Sequence, residues 1–159
     1  MPLFLWGIWQ NWQKVSQAFS APMGETGAVA QRMNQLLAEE KFRVVGLRRQ
    51  MFAAIARDCA GQGNVLRVEP DLDNTALREL ADTLADACGT AAVFTARPEG
   101  GHGFCLVSRT KDLRPLGREL TRRLHGRGGG KPGYQQGSVS ADEGEIRAFF
   151  AKLPGDWGI

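Results

Sequence analysis

Residues 125–139 read His125-Gly126-Arg127-Gly128-Gly129-Gly130-Lys131-Pro132-Gly133-Tyr134-Gln135-Gln136-Gly137-Ser138-Val139. Six of the twelve residues from Gly126 to Gly137 are glycine. A linker drifting free of packing collects Ser and Thr as well; this one is punctuated by Arg, Lys and Pro. Glycines permit positive φ and leave backbone N–H groups unshielded, so successive amides can form an anion-binding concavity. Arg127, Gly128, Gly129, Gly130 and Lys131 would form it, with mobile positive charge at both ends. A helix starting after Ser140 would add exposed amides. Phosphate is the natural guest. The alternative is a structural turn whose glycines let backbone pack closely on a sheet, and shape alone does not choose between them. The Walker spacing is excluded, because Pro132 stands where Ser or Thr must follow the lysine. A dinucleotide fingerprint is excluded too, since a helix precedes the glycines where a strand is required.

Working outward, the segment is expected to be a loop, residues 126–138, between two helices. The helix before it carries Leu113, Leu116, Leu120 and Leu124 on one face and Arg114, Arg118 and Arg122 on the other. The helix after it opens on Ser140-Ala141-Asp142-Glu143, a capping-box pattern, and buries Ile146, Phe149, Phe150 and Leu153. Upstream, Val65–Val68 reads as a strand. Asp73 or Asn74 caps a helix with Leu77, Leu80, Leu84 and Cys88 on one face, closed by Gly89. Ala91–Ala96 and Phe104–Arg109 read as paired strands around a loop at Gly100-Gly101-His102-Gly103.

The first sixty residues read as two helices. The first, from residue 4 to about 19, places Trp6, Trp9 and Trp12 on one side, and Ser20-Ala21-Pro22 with Gly24 supplies a turn. The second, from Thr26 to about Cys59, spaces Met33, Leu37, Glu40, Val44, Leu47, Met51 and Ile55 close to a heptad seam. The expected fold class is therefore α/β (α+β). A helical hairpin or coiled-coil stalk, residues 1–60, precedes a small mixed sheet packed with helices, residues 61–159.

Composition bounds the function. The chain of 159 residues is 43% hydrophobic and 23% charged, which excludes wholesale disorder. No run approaches the 18 apolar residues needed to span a membrane, and the apolar start, Leu3–Trp9, lacks the flanks of a signal peptide. Cys59, Cys88 and Cys105 are odd in number and contain no CxxC, so they encode neither a disulfide framework nor a cysteine zinc site. A reducing cytoplasm is the expected compartment, and core packing the expected use of all three thiols. The net charge is only +3, but residues 103–132 hold eight Lys or Arg against Asp112 and Glu119. Such a stretch can steer a polyanion or merely solvate a helix face.

The string from Gly126 to Ala141, GRGGGKPGYQQGSVSA, preceded by a basic helix and by Phe104–Leu113 (FCLVSRTKDL), resembles the DHH-associated domain. That module closes alanyl-tRNA synthetase and long-form alanyl-tRNA editing proteins, and pairs with DHH-type phosphoesterase domains. The resemblance covers roughly residues 25–153. A carboxylate usually follows the proline in that family, and Gly133 replaces it here; Tyr134 replaces a common Met and could stack on a base or pack. The resemblance implies binding of tRNA, alanine-accepting in the first place, by Arg127, Gly128, Gly129, Gly130, Lys131, Gln136 and Ser138, with Arg114, Arg118 and Arg122 extending the track. It implies no catalysis by this chain alone, no cofactor and no metal. His102 and His125 lie outside the HxxxH and CxxxH motifs of the editing hydrolases, and the aspartate–histidine motif of DHH phosphoesterases is missing. His102 reads as a loop residue and His125 as a C-terminal cap of the basic helix. It also implies an editing domain upstream, so that the tryptophan-rich start reads as the edge of a truncated gene product or an excised fragment.

Other readings compete. One is an assembly module, a homodimer through residues 4–59, in which the glycine segment only shapes the fold. Another is an enzyme, a phosphoesterase or editing hydrolase acting alone, which would need metal ligands or an acid–base pair that the sequence does not offer; the substrate-binding half of a DHH-type phosphoesterase is a further reading.

Overall fold

The computed structural model describes residues 3–18 and 24–158. The chain divides into two compact units between Arg49 and Gln50. In the first, α1 (Leu3–Ala18) and the greater part of α2 (Thr26–Cys59) are helical. Leu5, Trp6, Ile8, Trp9, Trp12 and Val15 of α1 are exposed, and Trp6 stacks on Trp9 with ring centroids 5.6 Å apart. Met33, Leu37, Val44 and Leu47 of α2 are exposed as well. The expected turn at Ser20-Ala21-Pro22 lies outside the described residues.

The second unit runs β1 (Asn64–Glu69), α3 (Asn74–Cys88), β2 (Thr90–Ala96), β3 (His102–Ser108), α4 (Arg114–Arg123), β4 (Arg127–Lys131), β5 (Tyr134–Val139) and α5 (Glu143–Ala151). It is a mixed sheet in the order β1-β2-β3-β5-β4, parallel between β1 and β2 and antiparallel elsewhere. The α/β class and the helical segment before the sheet agree with the sequence reading. The glycine segment does not: it forms a β-hairpin around the two-residue turn Pro132–Gly133, where a loop between helices was expected. Two strands are thereby added to the sheet.

Local signals explain the elements. Asp73 caps α3, its carboxylate accepting from the Ala76 N–H at 2.7 Å, and Gly89 ends the helix at φ 125°. The capping box of α5 sits two residues later than Ser140 suggested. Asp142 accepts from the Glu145 N–H at 2.8 Å, and the Glu145 carboxylate accepts from the Asp142 N–H at 2.9 Å. Either start gives the right spacing; the helix takes Asp142 as its N-cap and buries Ile146, Phe149 and Phe150.

Strand alternation sends successive side chains to opposite faces. One core layer joins Val65, Ala91, Val93, Cys105 and Val107 of the sheet to Leu77, Leu80, Ala81 and Leu84 of α3 and to Phe52, Ala56 and Cys59 at the end of α2. The other joins Ala92, Phe94, Phe104, Leu106 and Val139 to Leu116 and Leu120 of α4 and to Ile146, Phe149 and Phe150 of α5. Each buried Leu or Phe contributes about 1.5–3 kcal/mol. The two layers are not equally wide: α3 packs on β1, β2 and β3, while α4 packs under β4 and β5.

Candidate nucleic-acid interface

The β4–β5 hairpin closes tightly because its glycines have no side chains. A Cβ on Gly128 would stand 2.6 Å from the Gln136 carbonyl oxygen and 2.9 Å from the Phe104 ring. One on Gly137 would stand 2.0 Å from the Arg127 carbonyl oxygen, and one on Gly130 2.2 Å from that of Tyr134. The turn is fixed from outside, the Ser108 N–H donating to the Gly133 carbonyl at 3.0 Å and the Leu113 N–H to that of Pro132. Gly133 meets a local need, since a Cβ there would approach the Ser108 carbonyl oxygen to 2.7 Å. Gln135 turns inward, is buried against Gly117 of α4, and donates from Nε2 to the Lys131 carbonyl at 2.8 Å.

Gly129 is different. A Cβ on Gly129 would meet nothing within 4 Å. Pairing in the sheet shows where it faces. Thr95, Gly103, Ser138 and Arg127 are in one register row; Val93, Cys105, Gln136 and Gly129 in the next; Ala91, Val107, Tyr134 and Lys131 in the third. All three rows lie on the face that α3 covers chiefly over β1, β2 and β3. Arg127, Gly129 and Lys131 are exposed there, and Ser138, Gln136 and Tyr134 are half-buried. Four residues at about 3.4 Å each set Arg127 and Lys131 about 14 Å apart, with bare backbone between them.

The surroundings are cationic and polar. The Arg78 guanidinium of α3 lies 5.1 Å from the centroid of the Tyr134 ring, and the Tyr134 hydroxyl donates to Gln136 Oε1. Burial pushes the Tyr134 hydroxyl up to about 12, so it stays a neutral donor. Beneath it, burial also pushes the Cys105 thiol up to about 12. Among the described residues no carboxylate pairs with Arg127 or Lys131.

The arginines of α4 belong to another surface. They ride on the helix that fills the opposite core layer, so the structure does not bring Arg114, Arg118 and Arg122 onto the face of Arg127 and Lys131. Two of the three are engaged locally. Arg114 Nη2 is 2.6 Å from Asp112 Oδ2, and Arg122 Nη2 is 2.6 Å from Glu119 Oε1. Arg123 adds a second contact to Glu119 at 2.7 Å. Side-chain hydrogen bonds from Arg114 hold the Asp112 carboxyl down to about 2, and those from Arg122 and Arg123 do the same for Glu119. Arg118 has no ion pair among the described residues. A cleft of about 310 Å³ between α4 and α5 is lined by Glu119, Arg123, Leu124, Glu145, Phe149 and Lys152, but its carboxylates are committed to Arg123 and to the capping box.

The histidines sit apart from one another. His102 begins β3 and its Nδ1 donates to the Ala141 carbonyl at 2.8 Å, so it is a strand residue holding the α5 entry, not part of a loop. His125 adopts φ 49° just past α4, whose cap is Leu124; the Gly126 N–H donates back to the Thr121 carbonyl at 2.8 Å. Cys59 and Cys105 are buried; Cys88 is half-buried, its thiol donating to the Leu84 carbonyl at 2.7 Å. Among the described residues no three His, Cys, Asp or Glu side chains are grouped to hold a metal ion, and no helix is long and apolar enough to cross a membrane.

Two cations that the sequence reading did not single out, Arg78 and Arg97, lie on the α3 face, Arg78 over the Tyr134 ring and Arg97 over Gly103. Alternation from Val93 through Thr95 to Arg97 was a signal for one of them.

The DHHA1 domain family profile matches residues 60–154, and the chain belongs to that family. It is 32% identical over 123 residues to the alanine–tRNA ligase of Anaeromyxobacter dehalogenans (strain 2CP-C), an alignment covering 74% of this chain and 14% of the ligase. It is 29% identical over 126 residues to that of Desulfosudis oleivorans, covering 69% of this chain and again 14% of the ligase. The chain thus spans about one-seventh of the length of these relatives. Among solved structures it is similar to the C-Ala domain of Aquifex aeolicus alanyl-tRNA synthetase (TM-score 0.47, 24% identity, 62% of this chain, 96% of that one). It is also similar to Thermus thermophilus RecJ (TM-score 0.49, 14% identity, 90% of this chain, 28% of that one).

Proposed function

We infer that this protein is a non-catalytic tRNA-binding module of the kind carried by alanine–tRNA ligases, and that it binds on the uncovered sheet face of the β4–β5 hairpin. The observation that carries the reading is Gly129. It is the glycine of β4 that local packing does not require, and it stands between two cations that have no carboxylate partners among the described residues. Glycine inside a strand weakens it unless something must approach the backbone closely. A nucleic-acid strand is such a visitor: phosphates take Arg127 and Lys131, and the nucleotide between them rests on Gly129 beside the Gln136 amide and the Ser138 hydroxyl. Gly128 and Gly130 hold the strand in place for this. Arg114, Arg118 and Arg122 form a separate basic surface; Arg118, which has no ion pair among the described residues, is its strongest anchor.

RNA duplexes are recognised mostly through backbone and shape, so affinity should fall steeply with salt. The test is a titration of alanine-accepting tRNA and a non-cognate tRNA at two salt concentrations, with wild type and the Arg127→Ala plus Lys131→Ala variant. Loss of at least about tenfold in the double variant, with a salt slope smaller by about two, is expected. Equal affinity at matched salt would refute the assignment.

One observation favours a second reading. Met33, Leu37, Val44, Leu47 and Met51 form an apolar stripe on α2 that is exposed along its length, as a helix that self-associates would require. Light scattering over a concentration series tests it, and a strict monomer at high concentration disposes of it. Binding and dimerisation are compatible, because two copies would gain avidity.

A further inference from the structure

The register row through Gly103 holds a group that the reading above does not use. Arg97 follows β2 and shares the α3 face with Thr95, two residues earlier. Its guanidinium lies across Gly103, where a Cβ would stand 2.7 Å from Nη2 and 2.9 Å from Nε. Nη2 donates to Asn74 Oδ1 at 3.1 Å, in the first turn of α3. Nε is buried and, among the described residues, has no hydrogen-bond partner and the side chain no carboxylate to pair with. Folded proteins rarely leave a buried donor unmatched unless something else claims it.

The rest of the row shows what could. Ser138 follows Gly103 across the β3–β5 pairing, and Arg127 follows Ser138 across β5–β4. Two strand spacings, about 9.6 Å, separate the backbone of Gly103 from that of Arg127. Both arginine side chains are long enough to close that gap above the Ser138 hydroxyl. Resting on the functional reading above, we propose that Arg97, Ser138 and Arg127 form a grip for a single phosphodiester of the bound nucleic acid. The two planar guanidinium groups take its oxygens from opposite sides, a geometry that suits arginine and not lysine. The Ser138 hydroxyl donates between them. Asn74 fixes one end of the Arg97 guanidinium, and the missing side chain at Gly103 lets the plane lie flat, so a small rotation gives Nε its acceptor. The adjoining nucleotide then lies on the next row, over Gly129 and Gln136. The grip therefore sets the register of the strand on the sheet.

The experiment titrates the full chain with alanine-accepting tRNA at two salt concentrations, for wild type, Arg97→Ala, Arg97→Lys, Gly103→Ala and, as a control on α5, Arg147→Ala. Thermal melting of each variant accompanies the titration. Arg97→Ala should weaken binding about tenfold and reduce the salt slope by about one. Arg97→Lys should restore the slope but not the affinity. Gly103→Ala keeps every charge but pushes the guanidinium aside, and should weaken binding several-fold with the fold intact. Wild-type affinity in Arg97→Ala overturns the grip. If Arg127→Ala plus Lys131→Ala still loses binding in that case, the face reading survives; if it does not, both fall. An equal loss in Arg147→Ala would reduce the effect to net charge and overturn the grip as well.

Discussion

The two faces of the β4–β5 hairpin are built to opposite rules. Toward α4, each gap left by Gly128, Gly130 and Gly137 is occupied by backbone or by the Phe104 ring, and Gln135 fills the space over Gly117. Toward the α3 side, Gly129 faces open space and its neighbours are charged or polar. Adjacent glycines in one strand therefore answer different demands: Gly128 lets the sheet close, and Gly129 leaves it open. Counting glycines says nothing about function until each is placed on its face.

The sharpest way to break this comparison is to damage the filled face. Phe104→Ala removes a ring in contact with Phe94 and with the backbone of β4, and should cost about 3–5 kcal/mol in urea unfolding. If the hairpin tolerates it, Phe104 does not support β4 and the argument from Gly128 weakens. Gly137→Ala comes next. Its Cβ meets the Arg127 carbonyl oxygen, an overpacking cost of about 1–3 kcal/mol. Gly129→Ala is the counterpart: stability should stay within about 1 kcal/mol of wild type, while tRNA affinity drops. Equal destabilisation by Gly129→Ala and Gly137→Ala would erase the distinction between the faces.

The smallest effect concerns α4, beyond the hairpin. Its Glu119 carboxyl, hydrogen-bonded by Arg122 and Arg123, has its folded-state value lowered from 4.5 to about 2. A lowered acid stabilises the fold above its unfolded value and loses that contribution as pH falls toward about 2. The carboxylate is on the surface, so the contribution is small. A carbon NMR titration of Glu119 should show its midpoint well below 4.5, and Arg122→Gln should move it upward. A midpoint unmoved by that substitution would mean that the arginines of α4 are freer to meet phosphates than their ion pairs imply.

Much of this was legible from residue patterns. The leucine periodicity of α3 and α4, the Asp73 cap and the apolar runs of β2 and β3 each carry their own local signal. Strands β4 and β5 do not. Arg127-Gly128-Gly129-Gly130-Lys131 has neither β-branched residues nor alternation, and it becomes a strand only because β3 offers β5 an edge and β5 then offers one to β4. The same gap hid the site's layout. Arg114, Arg118 and Arg122 are correctly a helix face, but which side of the sheet that helix occupies is a tertiary fact. Alternation puts Arg97 on the α3 face, but not what it meets there: that is the missing side chain at Gly103, brought opposite by pairing.

Strand β4 ends the sheet, and its outer edge pairs with nothing among the described residues. An open edge invites a strand from another molecule, the usual seed of sheet-to-sheet aggregation. Here an incoming copy of β4 would meet like charge in either direction. Parallel and in register it sets Arg127 against Arg127; antiparallel, Arg127 against Lys131. Three glycines offer such a copy no side-chain zipper, and Pro132 stops the ladder from growing past the turn. Two cations at the ends of β4 would thus keep copies of the protein from joining edge to edge along this strand.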